Sequence, residues 1–474
     1  MHPVGEAALL RTTYDRDATR VGVVHVGVGA FHRAHQAVFF DDLMERTGDL
    51  DWAIAGVNLR PAQSGDIARL QGGGGAYVVK SYGPDGGSEF RQVRAHKALL
   101  DWSRQAARAE DVVADAGVQA LSLTVTESGY CLADDGGLDL GNHEIRAELE
   151  GTGKSSVYAY LQAALGKRRA AGGRPLTVLC CDNLRDNGTM LERNLGAYLS
   201  AAGDPGLASW IADHVSFPCS MVDRITPRPE PRHAREVAER FGIADDFTVH
   251  CERFMQWVIG DEFRGARPEL EAAGAELVAE VRPYEEAKIR ILNGGHLALA
   301  YLAALRGFET YDAALRDPAL SAFFDELTAS EILPSLDSQT PVDLPAYRES
   351  VKRRFLNRSI ADRISRIAMD GASKFPVFLL PTIRECYARG IVPRSALTSV
   401  ASWYVFLRHL ETGRLEFDYV DPKLPMIRPL LGAGREEEFA RLTALWGDMA
   451  IRHPEFVHEV CARIAELERE YPGA

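Results

Sequence analysis

Apolar residues change their spacing along this chain near position 284. Before it, short, largely apolar runs recur: Val21 to Val28, Trp52 to Val57, Ala76 to Lys80, Ala120 to Thr126 and Leu176 to Cys181. Runs of this length predict strands buried on both faces. Stretches 34–46, 96–109 and 155–170 lie among them with helical spacing. Alternating strands and helices predict an α/β, Rossmann-like domain with a mainly parallel sheet. Beyond 284 the spacing is helical over 286–305, 311–328, 344–354, 376–390, 395–411, 435–447 and 454–470, which predicts a mostly α-helical second part. The expected domains are 1–283, binding nucleotide, and 284–474, binding substrate and carrying the catalytic groups.

Length and composition narrow the function. A chain of 474 residues has room for two substantial cores. Its net charge of −13 argues against nucleic acid as a bulk partner. No stretch of about 18 apolar residues is free of charge, so no transmembrane helix is predicted. The N-terminus does not read as a secretory signal. The cysteines, Cys131, Cys180, Cys181, Cys219, Cys251, Cys386 and Cys461, are scattered and odd in number. They fit free thiols in a reducing cytoplasm. No compact metal motif is visible, although spacing leaves open ligands that converge in the fold.

The first apolar run ends in Gly27-Val28-Gly29, followed by Ala30, Phe31, His32 and Arg33. Two glycines after the first strand of an α/β domain permit a tight turn and close backbone approach to a pyrophosphate, with a helix N-terminus beyond. The third glycine of the usual pattern is absent, and a purely structural turn is the competing reading. Arg33 reads equally as a phosphate partner or an exposed side chain, and His35 as a packing or capping residue. An acidic residue closing the second strand would select NAD over its 2′-phosphorylated relative. This chain has Asn58 and Arg60 there, with Asp66 further on. Asn58 suits a ribose and Arg60 an extra phosphate, so NADP stays open. Gly72 to Gly75 and Gly136-Gly137 read as turns.

A second set of polar residues interrupts the apolar segment Glu285 to Ala300: Lys288, Asn293 and His296. On an α-helix, at about 100° per residue, Asn293 lies near 140° and His296 near 80° from Lys288. Alcohol oxidation removes a hydroxyl proton and a hydride. Lys288 suits the base if its pKa falls well below about 10.4. Asn293 suits a donor to the developing alkoxide, and His296 a group orienting the hydroxyl. A structural polar cluster is the equal alternative. Gly294-Gly295 permits close approach by a substrate or cofactor. Glu285 reads as a helix cap or a proton relay. Asn183 and Asp182 follow an apolar strand, where α/β ligand sites lie; Asn183 suits alkoxide or ribose and Asp182 a helix cap. Asp223 suits substrate hydroxyls, and Arg224 an internal ion pair.

Taken together these segments resemble the polyol-specific long-chain dehydrogenase family. The resemblance runs through Gly27 to His35, Thr124 to Glu127, Cys181 to Asn183, Met221 to Arg224, Gln256 to Val258 and Lys288 to His296. It implies NAD-dependent, metal-independent oxidation of a polyol to a ketose, with Lys288 as general base. Asn293 and Asn183 would hold the oxyanion, His296 would orient substrate, and Glu285 would line a proton channel. Thr126 joins the cofactor set. Asp223, Arg366 and Lys374 match substrate-site positions. Monomeric behaviour fits the family. Met221 to Pro229, Pro283 to Asn293, Asp343 to Arg348 and Pro381 to Tyr387 are similar to the D-arabinitol 4-dehydrogenase branch. Thr126 to Cys131 is more like the uronate-reductase branch, and mannitol oxidation requires the same local stereochemistry. Gly260 departs from the family pattern, which has Glu there.

Overall fold

The computed structural model describes residues 8–133 and 135–472. The chain divides into two compact units, one holding the chain up to Gly83 with Gly87–Arg282, the other holding Pro84–Gly86 and Pro283 onward.

The first unit is built on six parallel strands: β1 (Val21–Val26), β2 (Ala53–Asn58), β3 (His96–Asp101), β4 (Ala120–Leu123), β5 (Leu176–Cys180) and β6 (Val215–Ser216). Their spatial order is 3-2-1-4-5-6, the doubly wound Rossmann order. Alternate side chains face opposite layers. Val24, Val26, Leu121 and Leu123 join a core with Tyr158, Leu161 and Leu191, while Val23, Ile54 and Ala120 join one with Phe39, Leu43 and Trp257. Both faces are therefore dry, which explains why the runs are largely apolar instead of alternating. The order reverses between β1 and β4, where α/β folds bind ligands beyond the strand ends.

Residues 96–101 correct the helix expected at 96–109. Asp101 ends the strand and accepts the Ser103 amide hydrogen at 3.0 Å, so the helix begins at Trp102 and runs to Ala114. Two smaller sheets flank the large one. One joins Leu9–Arg11, Ser88–Val93, Tyr77–Tyr82 and Val249–Glu252; the other joins Ser220–Asp223, Gln256–Gly260 and Glu276–Val278.

The second unit is helical in all its named elements. Its central helix Gly295–Leu305 is buried almost all round, as expected of a core helix. Tyr301 lies 5.8 Å from Phe375, which stacks on Trp403 at 4.7 Å between ring centroids. The helices expected over 286–305 and 311–328 are interrupted: Lys288–Gly294 and Leu327–Ile332 wind as π-helix. Among the described residues no helix is long and apolar enough to cross a membrane.

Candidate active site

Gly27 closes β1 with φ +96°, and a Cβ there would lie 2.0 Å from the Thr124 carbonyl oxygen. Only glycine fits. Its amide donates to Val57 O at 2.9 Å, and Gly29 N donates back to Gly27 O at 2.8 Å. Gly29 has an ordinary φ of −78° and forms the N-cap of the short helix Ala30–Ala34, with nothing within 4 Å of its Cβ position. The turn thus has one crowded glycine and one open to solvent. Ala30 and Phe31 are half-buried beside it, and Phe31 stacks on His35 at 5.0 Å. His35 packs, as expected, with Nε2 2.8 Å from Gln256 O.

Beneath the turn lies a histidine cluster that spacing did not announce. His25 places Nδ1 2.7 Å from Ser122 Oγ and Nε2 2.9 Å from Thr124 Oγ1 and 3.1 Å from Gly27 O. It stacks on His32 with centroids 3.4 Å apart, and His32 Nε2 meets His96 Nε2 at 2.9 Å. Burial drives all three well below the usual imidazole range, His96 to about 3. They support the turn as neutral rings.

The polar residues at the strand ends divide into two groups. Arg33 is buried between the rings of Tyr77 and Phe247 and donates to the Phe247 carbonyl. It packs as a buried side chain, against the reading of it as exposed, with Nε left without a hydrogen-bond partner. Asn58 is also buried, with Nδ2 donating to Arg60 O at 2.8 Å. Arg60 NH1 lies 2.8 and 3.0 Å from the two Glu144 oxygens. Thr126 has φ +67° and ψ 158°, a region that is essentially glycine's. Asp182 holds it there: its carboxylate accepts from Val125 N at 2.8 Å, Thr126 N at 3.0 Å and Tyr130 OH at 2.6 Å. Asp182 is therefore a loop clamp rather than the helix cap expected. Asn183, which follows Asp182 in the loop after β5, is exposed. Asp223 is buried at the end of its strand, opposite Gln256. Arg224 serves carbonyls, Glu252 O at 2.9 Å and Ala34 O, in place of the expected ion pair.

In the second unit, Glu285 and Lys288 are buried, 8% and 7% exposed. The π-winding of Lys288–Gly294 corrects the helical-wheel angles. Its i→i+5 hydrogen bonding widens each turn and so turns positions five apart, such as Lys288 and Asn293, nearer to one face. An α-helix would set them about 140° apart. Asn293 Nδ2 is buried with no hydrogen-bond partner, a donor held in reserve. Gly294 and Gly295 answer to packing: their Cβ positions lie 3.0 Å from Phe378 O and 2.8 Å from the Phe324 ring. The close approach expected there from substrate or cofactor is taken by the protein.

His296 sits between Phe355, stacked at 4.3 Å, and Tyr311, edge-on at 4.3 Å. Its Nε2 is 3.7 Å from Asp362 Oδ2. Burial lowers it to about 3, with Asp362 opposing and Arg366 and Lys374 assisting. Asp362 also accepts from Arg366 Nε at 2.7 Å, so it joins two expected site residues. Its i,i+4 spacing to Arg366 was the available signal. Lys374 Nζ donates to Ile367 O at 3.0 Å. The expectation of no metal-ligand set is qualified in the first unit, where the fold gathers Glu230, His233 and His250.

Both halves match one family: residues 21–272 match the mannitol dehydrogenase Rossmann domain, and residues 280–468 the mannitol dehydrogenase C-terminal domain. The chain is 36% identical over 446 residues to mannitol 2-dehydrogenase of Cereibacter sphaeroides, covering 94% of this chain and 93% of that one. It is 38% identical over 400 residues to D-arabinitol 4-dehydrogenase of Ralstonia nicotianae, covering 84% and 86%. The Pseudomonas fluorescens mannitol 2-dehydrogenase ternary complex with NAD and D-mannitol superposes with a TM-score of 0.86 at 34% identity, over 97% of this chain and 94% of that chain. The expected leaning toward the arabinitol branch is not singled out, since relatives named for either polyol stand side by side. With the doubly wound sheet, its glycine turn and the helical second unit all matched, the chain belongs to the mannitol dehydrogenase family.

Proposed function

We propose that this protein is an NAD-dependent polyol dehydrogenase that oxidises D-mannitol to D-fructose. The observation that carries the reading is the π-wound segment, where a buried lysine and an unpartnered asparagine amide share the i,i+5 spacing. It is supported by the likeness to a mannitol dehydrogenase holding NAD and D-mannitol.

The glycine turn fits a dinucleotide. Space over Gly29 is open and helix amides begin there, at the switch point of the sheet. Gly27, Gly29, Ala30, Phe31 and Thr126 hold the cofactor, with Asn58 at the ribose end. Glu144 neutralises Arg60, which favours NAD over NADP. Bound NAD supplies the hydride acceptor. Lys288 takes the hydroxyl proton, and Glu285 passes it toward solvent. Asn293 and Asn183 donate to the alkoxide oxygen. Neutral His296 orients the hydroxyl. Asp223, Arg366 and Lys374 contact the remaining hydroxyls. A monomeric, cytoplasmic protein that needs no metal for turnover completes the reading.

D-arabinitol oxidation to D-xylulose is the second reading, favoured by the 38% identical relative; reduction of a keto-uronate is the third. Initial rates with NAD and NADP across D-mannitol, D-arabinitol, D-sorbitol and xylitol, and in reverse with fructuronate and tagaturonate, separate them. D-mannitol with NAD is expected to give the highest kcat/KM. A D-arabinitol maximum moves the assignment to the second reading. Activity on uronates alone rejects the polyol reading.

A further inference from the structure

Glu230, His233 and His250 lie in the first unit and include none of the residues assigned above to cofactor or substrate. Glu230 is the N-cap of the helix Pro231–Phe241, and His233 lies in its first turn. His250 lies on the strand Val249–Glu252, which pairs with Tyr77–Tyr82. One carboxylate oxygen and one nitrogen from each ring all lie within 4.8 Å of one another. His250 Nε2 is 3.8 Å from Glu230 Oε1, and the two rings are 4.3 Å apart.

Both histidines are only 2% exposed. Both ring nitrogens of His233 and Nδ1 of His250 are buried without a hydrogen-bond partner. A buried polar atom left unpaired is costly, and three in one place call for a compensating group. Packing alone gives no reason to put two unsatisfied imidazoles against each other beside a carboxylate.

We propose that Glu230, His233 and His250 bind one divalent transition-metal ion, with Zn²⁺ the best match. Two imidazoles and one carboxylate suit zinc, with water in the fourth position. Ligand atoms about 2.0–2.1 Å from a tetrahedral ion lie about 3.4 Å from each other, so rotation of the Glu230 side chain closes the set. That side chain is 45% exposed, and its partner Arg232 is 61% exposed, an ion pair that holds it weakly. Behind the site, Glu236 Oε2 stands 3.9 Å from His233 Nδ1, as carboxylates stand behind metal-bound histidines. Lys80 and Arg240 also pair with Glu236, at 2.5 and 3.2 Å. The two carboxylates thus face the three cations Lys80, Arg232 and Arg240. The ion ties a helix start to a neighbouring sheet and is structural, since none of its ligands belongs to the proposed hydride chemistry.

The test titrates the full-length chain, stripped by chelator, with Co²⁺ and then Zn²⁺. The expected result is one Co²⁺ per chain with a low-symmetry visible spectrum, displaced by Zn²⁺, and a Tm that rises with ZnCl₂. His233→Ala and His250→Gln should each weaken binding about 100-fold or more. Glu230→Gln, at an exposed position, removes the charged ligand without burdening the fold and should weaken binding about tenfold or more. Polyol turnover should change less than about twofold on stripping. Failure of the wild-type chain to bind Co²⁺ stoichiometrically, or equal binding by the histidine variants, overturns the site. Loss of turnover on stripping overturns its structural role.

Discussion

Asp182 Oδ1 accepts the Thr126 amide hydrogen at 3.0 Å, fixing a threonine in backbone space that glycine normally occupies. Strain of this kind costs about 1–3 kcal/mol and persists only where neighbours over-determine it. Burial pushes the Asp182 carboxyl up to about 6, against its three hydrogen bonds.

Asp182→Asn keeps the size and loses the charged acceptor. NAD affinity is expected to fall about tenfold, the value of one hydrogen bond to a charged group. In the wild-type chain the same acceptor is neutralised as pH falls through about 6, so NAD should bind more weakly at pH 5 than at pH 7. The stability effect has the opposite sign. The folded chain holds this proton more tightly than the unfolded one, so the contribution is fully present below about pH 4 and is lost as pH rises through about 6. NADH fluorescence and thermal unfolding across this range separate the two. A pH-independent NAD affinity in the wild type would detach Asp182 from the cofactor.

The two glycines of the turn should behave differently. Gly27→Ala forces a side chain into φ +96° and onto the Thr124 carbonyl, at a cost of about 3 kcal/mol or more. Gly29→Ala meets nothing in the protein. Its Tm should stay near wild type while its methyl group occupies the space proposed for pyrophosphate, raising the NAD Kd tenfold or more, about 1.4 kcal/mol. Unchanged NAD affinity in a folded Gly29→Ala variant would remove this turn from the cofactor site.

Local pattern made β1, its glycine turn and the helical second part legible in the sequence. These follow from periodicity and from one residue type with unusual backbone freedom. The π-winding at Lys288 was not legible, because neighbouring packing chooses i→i+5 over i→i+4 hydrogen bonds. Gly294 and Gly295 looked like room for a ligand and are room for Phe378 and Phe324. His96 joins His25 and His32 from 64 residues beyond His32, and His233 and His250 come from a helix and a strand, so no helical or strand period relates the members of either cluster. Asp182 was visible as a polar residue after a strand, but its role depends on which neighbouring loop comes back to it.

If Lys288 is the base, Lys288→Met should lower kcat by about 10²–10⁴-fold with NADH binding unchanged. Asn293→Leu should lower it about 10²–10³-fold, the usual effect of losing one oxyanion donor. The variants act on one step, so the double variant should lose much less than the product of the two. Steady-state rates and NADH titration check both. Near-normal turnover in Lys288→Met sinks the proposal.

Arg60 and Glu144 bear on cofactor choice. The carboxylate pairs with the arginine two residues past β2. Glu144→Gln leaves the guanidinium charge uncompensated and should raise kcat/KM for NADP about tenfold while changing the NAD value little. Measuring both cofactors at low and high salt tests the electrostatic origin, because the gain should shrink as salt rises. An unchanged NADP value means that Arg60 does not face the 2′ position.

Acid should destabilise this protein before it titrates most carboxylates. His25, His32, His96 and His296 are held neutral by burial, the last two with pKa near 3. In the unfolded chain each takes a proton near pH 6.5. Below that pH the unfolded state binds more protons, so the stabilisation is full above about 6.5 and is lost as pH falls toward about 3. Asp182, Asp41 and Glu331 carry carboxyls raised by burial and work the other way, but His233, His250 and His409 are lowered by burial as well and add to the histidine side, and the Asp182 window opens only below about 6. Thermal unfolding is therefore expected to fall from pH 7 to pH 5. His96→Gln should flatten the transition of the first unit, and His296→Gln that of the second. A Tm constant between pH 7 and pH 5 would mean that these rings reach water, and with it their ordinary pKa, in the folded protein.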